Sequence, residues 1–205
     1  VTPREEVLAR IRTALADRPV PPPVPRDYHH RGDQPPGSPE AVALLAARVD
    51  DYRAQVHRVD LAEQVPATLA RLLAGHRAVV VPPDLPAEWA QVCPGVVRDT
   101  GLSPQQLDEV DAVVTGCAVA IAVTGTLVLD AGAAQGRRAL TLVPDHHVCV
   151  VRAEQVVASV PEALARLDPT RPLTFISGPS ATSDIELQRV EGVHGPRTLD
   201  VVIVG

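Results

Sequence analysis

"DAVVTGCAVAIAVTGTLVLDAG", residues 111–132, decides the fold. Short runs of Val, Ala, Ile and Leu are cut at Thr115-Gly116 and again at Thr124-Gly125-Thr126. A strand with one wet face alternates apolar and polar residues, whereas a strand buried on both faces is apolar nearly throughout. The stretch therefore predicts three successive buried strands, "DAVVTGC", "AVAIAVTG" and "TLVLDAG", with glycine where the backbone turns or meets another group closely.

Toward the C-terminus the same reasoning predicts "ALTLVPD" and "HVCVV" as strands. A helix from Ala153 to about Leu167 follows, with a break at Pro161, then the strand "LTFISG", a last helix from near Ser183, and the strand "LDVVIV". Toward the N-terminus helices and strands alternate. Ser38 caps a helix over "SPEAVALLAARVDDYRAQV", with Pro39 in its first turn. Then come the strand "QVHRVD", the helix "LAEQVPATLARLLAGH", the strand "RAVVVPP", a short helix around Trp89, the strand "GVVRD" and the helix "SPQQLDEV". This order predicts an α/β protein, a three-layer mixed sheet with helices on both faces. Residues 38–205 are expected to form the single α/β domain, and residues 1–37 an N-terminal helix and a Pro-rich arm. The helix, residues 3–16, carries a stripe of Val7, Leu8, Ile11 and Leu15. The arm, "DRPVPPPVPRDYHHRGDQPPGSP", holds eight of the 21 prolines and is read as extended, its His29-His30 pair as solvated.

Composition narrows the function. With 45% hydrophobic but 2% aromatic residues, the core must be built from Val, Leu, Ile and Ala. A net charge of −6 argues against nucleic acid and anionic membranes as partners. No apolar run reaches the roughly 18 residues of a membrane span, and the charged N-terminus does not read as a signal peptide. Cys93, Cys117 and Cys149 lie far apart without C-x-x-C spacing, which predicts reduced core thiols in a cytoplasmic protein, no iron–sulfur cluster and no bound metal or other cofactor. G-x-G-x-x-G, G-K-[ST] and G-x-S-x-G are all missing, so dinucleotide binding, nucleotide hydrolysis and ordinary serine-hydrolase chemistry have no support.

Polar residues gather at two strand ends, where α/β sheets bind ligands at their carboxyl rim. One is Thr124-Gly125-Thr126, read either as a plain turn or as a backbone surface for a ligand; the downstream "GAAQGRR" offers Arg137 and Arg138 to an anion. The other is "FISGPSATSDIE", residues 175–186, where Gly178, Pro179, Ser180 and Thr182 are candidate substrate-binding residues. Ser183 and Glu186 match a capping box, whose free N–H groups attract anions. Asp184 and Glu186 are also candidate acid–base groups, as is His194, in "EGVHGPR" beside Gly195. His146 and His147 are adjacent on a strand and so face opposite ways, which argues against one shared metal.

Taken together, "TGCAVAIAVTGTLVLDAG", "LVPDHHVCVV", "LTFISGPSATSDIE" and "VEGVHGPRTLDVVIV" resemble the lactate utilization protein C family, also called the LUD domain. The resemblance implies a fold similar to ribose-5-phosphate isomerase and the coenzyme A transferases. It implies a cytoplasmic component of bacterial L-lactate oxidation to pyruvate, acting beside iron–sulfur partner proteins. A glutamate is common in the family before T-G-T, where this chain has Val123, and an aromatic where it has His146. That substitution moves the expected chemistry to Asp184, Glu186 and His194 and leaves open whether the chain turns over a substrate itself. The alternative expectation is a stand-alone isomerase or acyl-transferase acting on a sugar phosphate or thioester; a third is a purely structural assembly protein.

Overall fold

Valine-rich segments with no wet face form the centre of the molecule. The computed structural model describes residues 2–17, 20–182, 190–191 and 195–205. In chain order the helices are α1 (Pro3–Ala14), α2 (Pro39–Asp51), α3 (Val65–Leu72), α4 (Ala87–Ala90), α5 (Pro104–Asp108) and α6 (Val160–Arg166). The strands are β1 (Gln55–Val59), β2 (Val79–Val81), β3 (Val96–Arg98), β4 (Ala112–Thr115), β5 (Val119–Ile121), β6 (Thr126–Leu129), β7 (His146–Arg152), β8 (Val156–Val157), β9 (Thr174–Ile176), β10 (Ala181–Thr182), β11 (Val190–Glu191) and β12 (Thr198–Val204).

Six strands pair in the order β1-β12-β7-β4-β2-β3, all parallel. Every residue of β2 and β4 is buried, whereas the edge strands β1 and β3 are partly exposed. Alternation along β7 sends its side chains to two cores. Val148 and Val150 pack with Leu69 and Leu73 at α3, while Cys149 and Val151 pack with Val42, Leu45 and Val49 of α2. A second sheet, β8-β5-β6-β9, joins the α2 side through Ala120 and Leu127. Its β5–β6 and β6–β9 pairs are antiparallel and its β5–β8 pair parallel. The expected α/β class with helices on both faces is therefore observed, with all antiparallel pairing kept out of the six-stranded sheet.

Helix α2 begins as its sequence predicts: the Ser38 hydroxyl accepts from the Ala41 N–H at 3.2 Å, and Pro39 opens the first turn. Removing such a cap costs about 1 kcal/mol. Two expectations fail. "ALTLVPD" is not a strand; residues Arg138–Thr141 form a 3-10 turn, whose last carbonyl accepts from Arg138 Nη1 at 2.9 Å while Leu140 is buried beside Val80 and Leu107. Nor is 153–167 one helix. Gln155 accepts from the Arg152 N–H, Val156 and Val157 are drawn into pairing with β5, and α6 starts only at Val160, so Pro161 opens the helix and does not break it. The last helix expected from near Ser183 lies outside the described residues.

The N-terminal helix α1 buries none of its residues. The far end of the arm is held on the domain, where Gly32 N–H donates to Glu162 and Gly37 N–H to the Val156 carbonyl. His30 Nε2 lies 3.0 Å from the Arg26 carbonyl.

Candidate functional site

The C-terminal end of α2 sets the position of both glycine turns. Gly125, at φ +59°, closes the β5–β6 hairpin, and a Cβ added there would sit 2.8 Å from the Arg48 carbonyl carbon. Gly178, at φ +84°, follows β9, and its Cβ would lie 2.7 Å from Tyr52 Cβ. Between them Thr126 Oγ1 stands 2.8 Å from Ser177 Oγ and 2.8 Å from Thr124 Oγ1. Glycine is needed at both turns because the backbone meets α2 with no room for a side chain.

Beyond this seam lies a polar hollow of about 250 Å³, whose wall includes Ser177, Gly178, Pro179, Ser180, Gly195 and Pro196. The Ser180 N–H donates to the Pro196 carbonyl at 2.8 Å, which ties the two loops together. Thr124, Gly125 and Thr126 do not line the hollow; they brace it from behind through Ser177, so the plain-turn reading of Gly125 fits its surroundings. Asp184, Glu186 and His194 fall outside the described residues, and Thr182 is described only as backbone in β10.

The hollow is also lined by residues whose approach sequence reasoning missed: Arg138, Thr141, His147 and Leu199. His147 is 1% exposed; its Nε2 lies 2.7 Å from Thr115 Oγ1, and its Nδ1 is buried without a hydrogen-bond partner. Arg138 bonds Thr141 through Nη1, to the carbonyl at 2.9 Å and the hydroxyl at 3.0 Å. The residue as a whole is exposed, yet burial of part of its guanidinium lowers its pKa. Its neighbour Arg137 behaves differently, forking onto Asp99 at 2.7 and 2.9 Å, and this pairing lowers the Asp99 pKa. Only strand phase could have placed His147 here, since it shares a face of the sheet with Cys149 and Thr115 while His146 takes the other.

His146 belongs to a separate polar chain on that other face. Asp200 Oδ2 lies 2.7 Å from His146 Nε2 and Oδ1 lies 2.5 Å from His57 Nε2, while His146 Nδ1 stands 3.0 Å from His76 Nε2. Burial raises the Asp200 pKa, but the bonds from His146 and His57 outweigh it and leave it lowered. Desolvation, and then the neighbouring His146, lower that of His76. Among the described residues no group of three or more His, Cys, Asp or Glu is arranged to hold a metal ion. All three cysteines are buried free thiols, and burial pushes Cys93 up to about 11. Cys117 and Cys149 interact: Cys117 is raised, first by Cys149 and then by burial, and Cys149 is lowered, first by Cys117.

The hollow follows the carboxyl end of β9, but it opens at the amino ends of β7 and β12 in the six-stranded sheet. The carboxyl rim of that sheet bears a different cleft of about 660 Å³, lined in part by Asp84, Trp89, Gly116, Cys117, Arg152 and Arg171. It sits where the chain leaves β2 for β3 and returns to β4 on the other side, the reversal at which α/β sheets open a crevice.

Fold and hollow together define an α/β protein with a parallel sheet, a small accessory sheet and a polar recess between them. The chain belongs to the LUD domain family, which matches residues 99–204. It is 48% identical to the lactate utilization protein C of Deinococcus radiodurans over 98% of this chain and 94% of that protein. An uncharacterized protein of Neisseria meningitidis is 27% identical over 98% of this chain and 93% of its own length. The lactate utilization protein C of Shouchella clausii is 31% identical over 52% of this chain and 49% of that protein. A crystal structure of a DUF162 family protein from Deinococcus radiodurans superposes with a TM-score of 0.70 and 45% identity, covering 81% of this chain and 97% of that one.

Proposed function

We propose that the protein is a component of a bacterial L-lactate utilization system, serving the oxidation of L-lactate to pyruvate beside iron–sulfur partner proteins and holding no cluster of its own. The observation that carries this reading is the near full-length similarity to a Deinococcus protein named for lactate utilization. The hollow supports it, being small and polar and carrying a guanidinium at its wall. Three buried thiols suit a subunit that leaves cluster chemistry to others, and no helix among the described residues is long and apolar enough to cross a membrane, which suits a cytoplasmic place. Gly178, Pro179, Ser180 and Gly195 supply backbone and hydroxyl contacts to a small carboxylate in this reading, Thr124 and Thr126 steady them, and Asp184, Glu186 and His194 remain the acid–base candidates. Residues 38–205 act as the single α/β unit and 1–37 as its arm.

Deleting the gene tests the reading. Growth on L-lactate should fail, return with the gene, and be accompanied by co-purification of cysteine-cluster proteins with a tagged chain. Undiminished growth of the deletion strain on L-lactate would overturn it.

A second reading, a free-standing isomerase or acyl-transferase, is favoured by the larger cleft at the carboxyl rim. Turnover of ribose 5-phosphate or an acyl thioester by the isolated chain would support it, and lack of turnover with both would remove it.

A further inference from the structure

Two neighbouring arginines differ in what they touch. Arg137 is held in a fork by Asp99 and also donates to the Leu102 carbonyl. Arg138 has no ion-pair partner among the described residues, and only its Nη1 is engaged, by Thr141. The guanidinium donates five N–H bonds in a fixed plane, so the free part keeps the geometry that matches a carboxylate. None of the described residues lining the hollow is acidic, so an anion entering it meets no opposing charge from them.

In the same hollow the unpartnered Nδ1 of His147 is a second and independent sign. A buried polar atom without a hydrogen bond is rare in folded proteins, and each case calls for an explanation. Thr115 fixes the ring by its Nε2, so Nδ1 keeps one orientation, as a donor or an acceptor according to the proton Thr115 shares. Leu199 and Ile176 add apolar wall beside these groups. The volume of about 250 Å³ falls below the roughly 300 Å³ at which pockets for drug-sized ligands begin, which favours an acid of a few carbons.

We propose that Arg138 and His147 form a subsite for a small monocarboxylate bearing oxygen on its second carbon, the guanidinium holding the carboxylate and Nδ1 the adjacent oxygen. A 2-hydroxyl donates to Nδ1 and a 2-oxo group accepts from it, so both members of a hydroxy acid and oxo acid pair fit. This deepens the lactate reading and takes its choice of acid from it, but the subsite itself is a statement about binding alone.

Calorimetric titration of the full chain with L-lactate, pyruvate and propionate tests it. Propionate lacks the second oxygen, so the wild type should bind the first two at least tenfold more tightly. Arg138→Gln should weaken all three acids at least tenfold. His147→Gln should erase the preference over propionate while leaving propionate affinity unchanged, and Thr115→Val, which keeps the ring but releases its Nε2, should reduce the preference even if the His147 variant fails to fold. Equal affinity for propionate and L-lactate, or an Arg138 variant that binds as the wild type does, overturns the proposal. If the wild type binds none of the acids while the gene still restores growth on lactate, the subsite falls and the functional reading stands. If the acids bind as expected and lactate growth does not need the gene, the subsite stands and the reading falls.

Discussion

Asp200 shows how one side chain ties three elements together. It accepts from His57 on β1 and His146 on β7, with His76 behind His146, so a single carboxylate spans neighbouring strands at the sheet's amino end. Asp200→Asn leaves one imidazole without an acceptor, and a loss of roughly 3 kcal/mol in urea unfolding is expected. The folded-state pKa is lowered, so the carboxylate's stabilisation is complete above its unfolded value of 3.8 and disappears as pH falls through the lower folded value. Below about pH 4 the wild type should therefore lose stability more steeply than Asp200→Asn; parallel acid limbs for the two proteins would contradict this. Ala131 offers the opposite case. It is exposed at φ +56°, a region that costs a non-glycine residue about 1–2 kcal/mol, so Ala131→Gly should leave stability unchanged or raise it by up to about 1 kcal/mol.

The β5–β6 hairpin and α2 meet backbone to side chain at Gly125, and this docking holds the wall of the hollow through Thr126 and Ser177. Gly125→Ala adds both left-handed strain and a clash with Arg48, so a loss of roughly 2–4 kcal/mol is expected in thermal or chemical unfolding. Gly101, at φ +98° with open space where a Cβ would go, separates the two effects: Gly101→Ala should cost only about 1–2 kcal/mol. Equal losses at both positions would show that the seam is not tightly packed. The strands Val79–Val81 and Ala112–Thr115 were legible in the sequence because burial on both faces leaves no room for alternation. Residues 139–145 misled for a related reason. Their apolar pattern suits a strand equally well, and only Arg138 closing on Thr141 selects the 3-10 turn. Val156–Val157 likewise reads as helix until β5 is there to pair with it.

In the molecule as a whole, the parallel sheet bears a cavity at each of its two rims. Sequence located the hydroxyl- and glycine-rich loops of one, since Gly178, Ser180 and Gly195 announce themselves by composition. It did not pair them with Arg138 and His147, because that meeting depends on the register of β7 between β4 and β12, contacts made across more than thirty residues of chain. Nor did it foresee the larger carboxyl-rim cleft, whose walls come from five separate stretches of chain around residues 84–89, 116–118, 130–135, 150–155 and 166–171. Which rim receives a ligand separates a lactate-handling subunit from a free-standing enzyme. A crystal structure of the protein soaked with L-lactate decides it. The acid should lie in the amino-rim hollow with its carboxylate against Arg138 and its hydroxyl at His147 Nδ1. Lactate bound instead beside Gly116 and Arg171 would contradict this account, as would an unchanged hollow at saturating concentration.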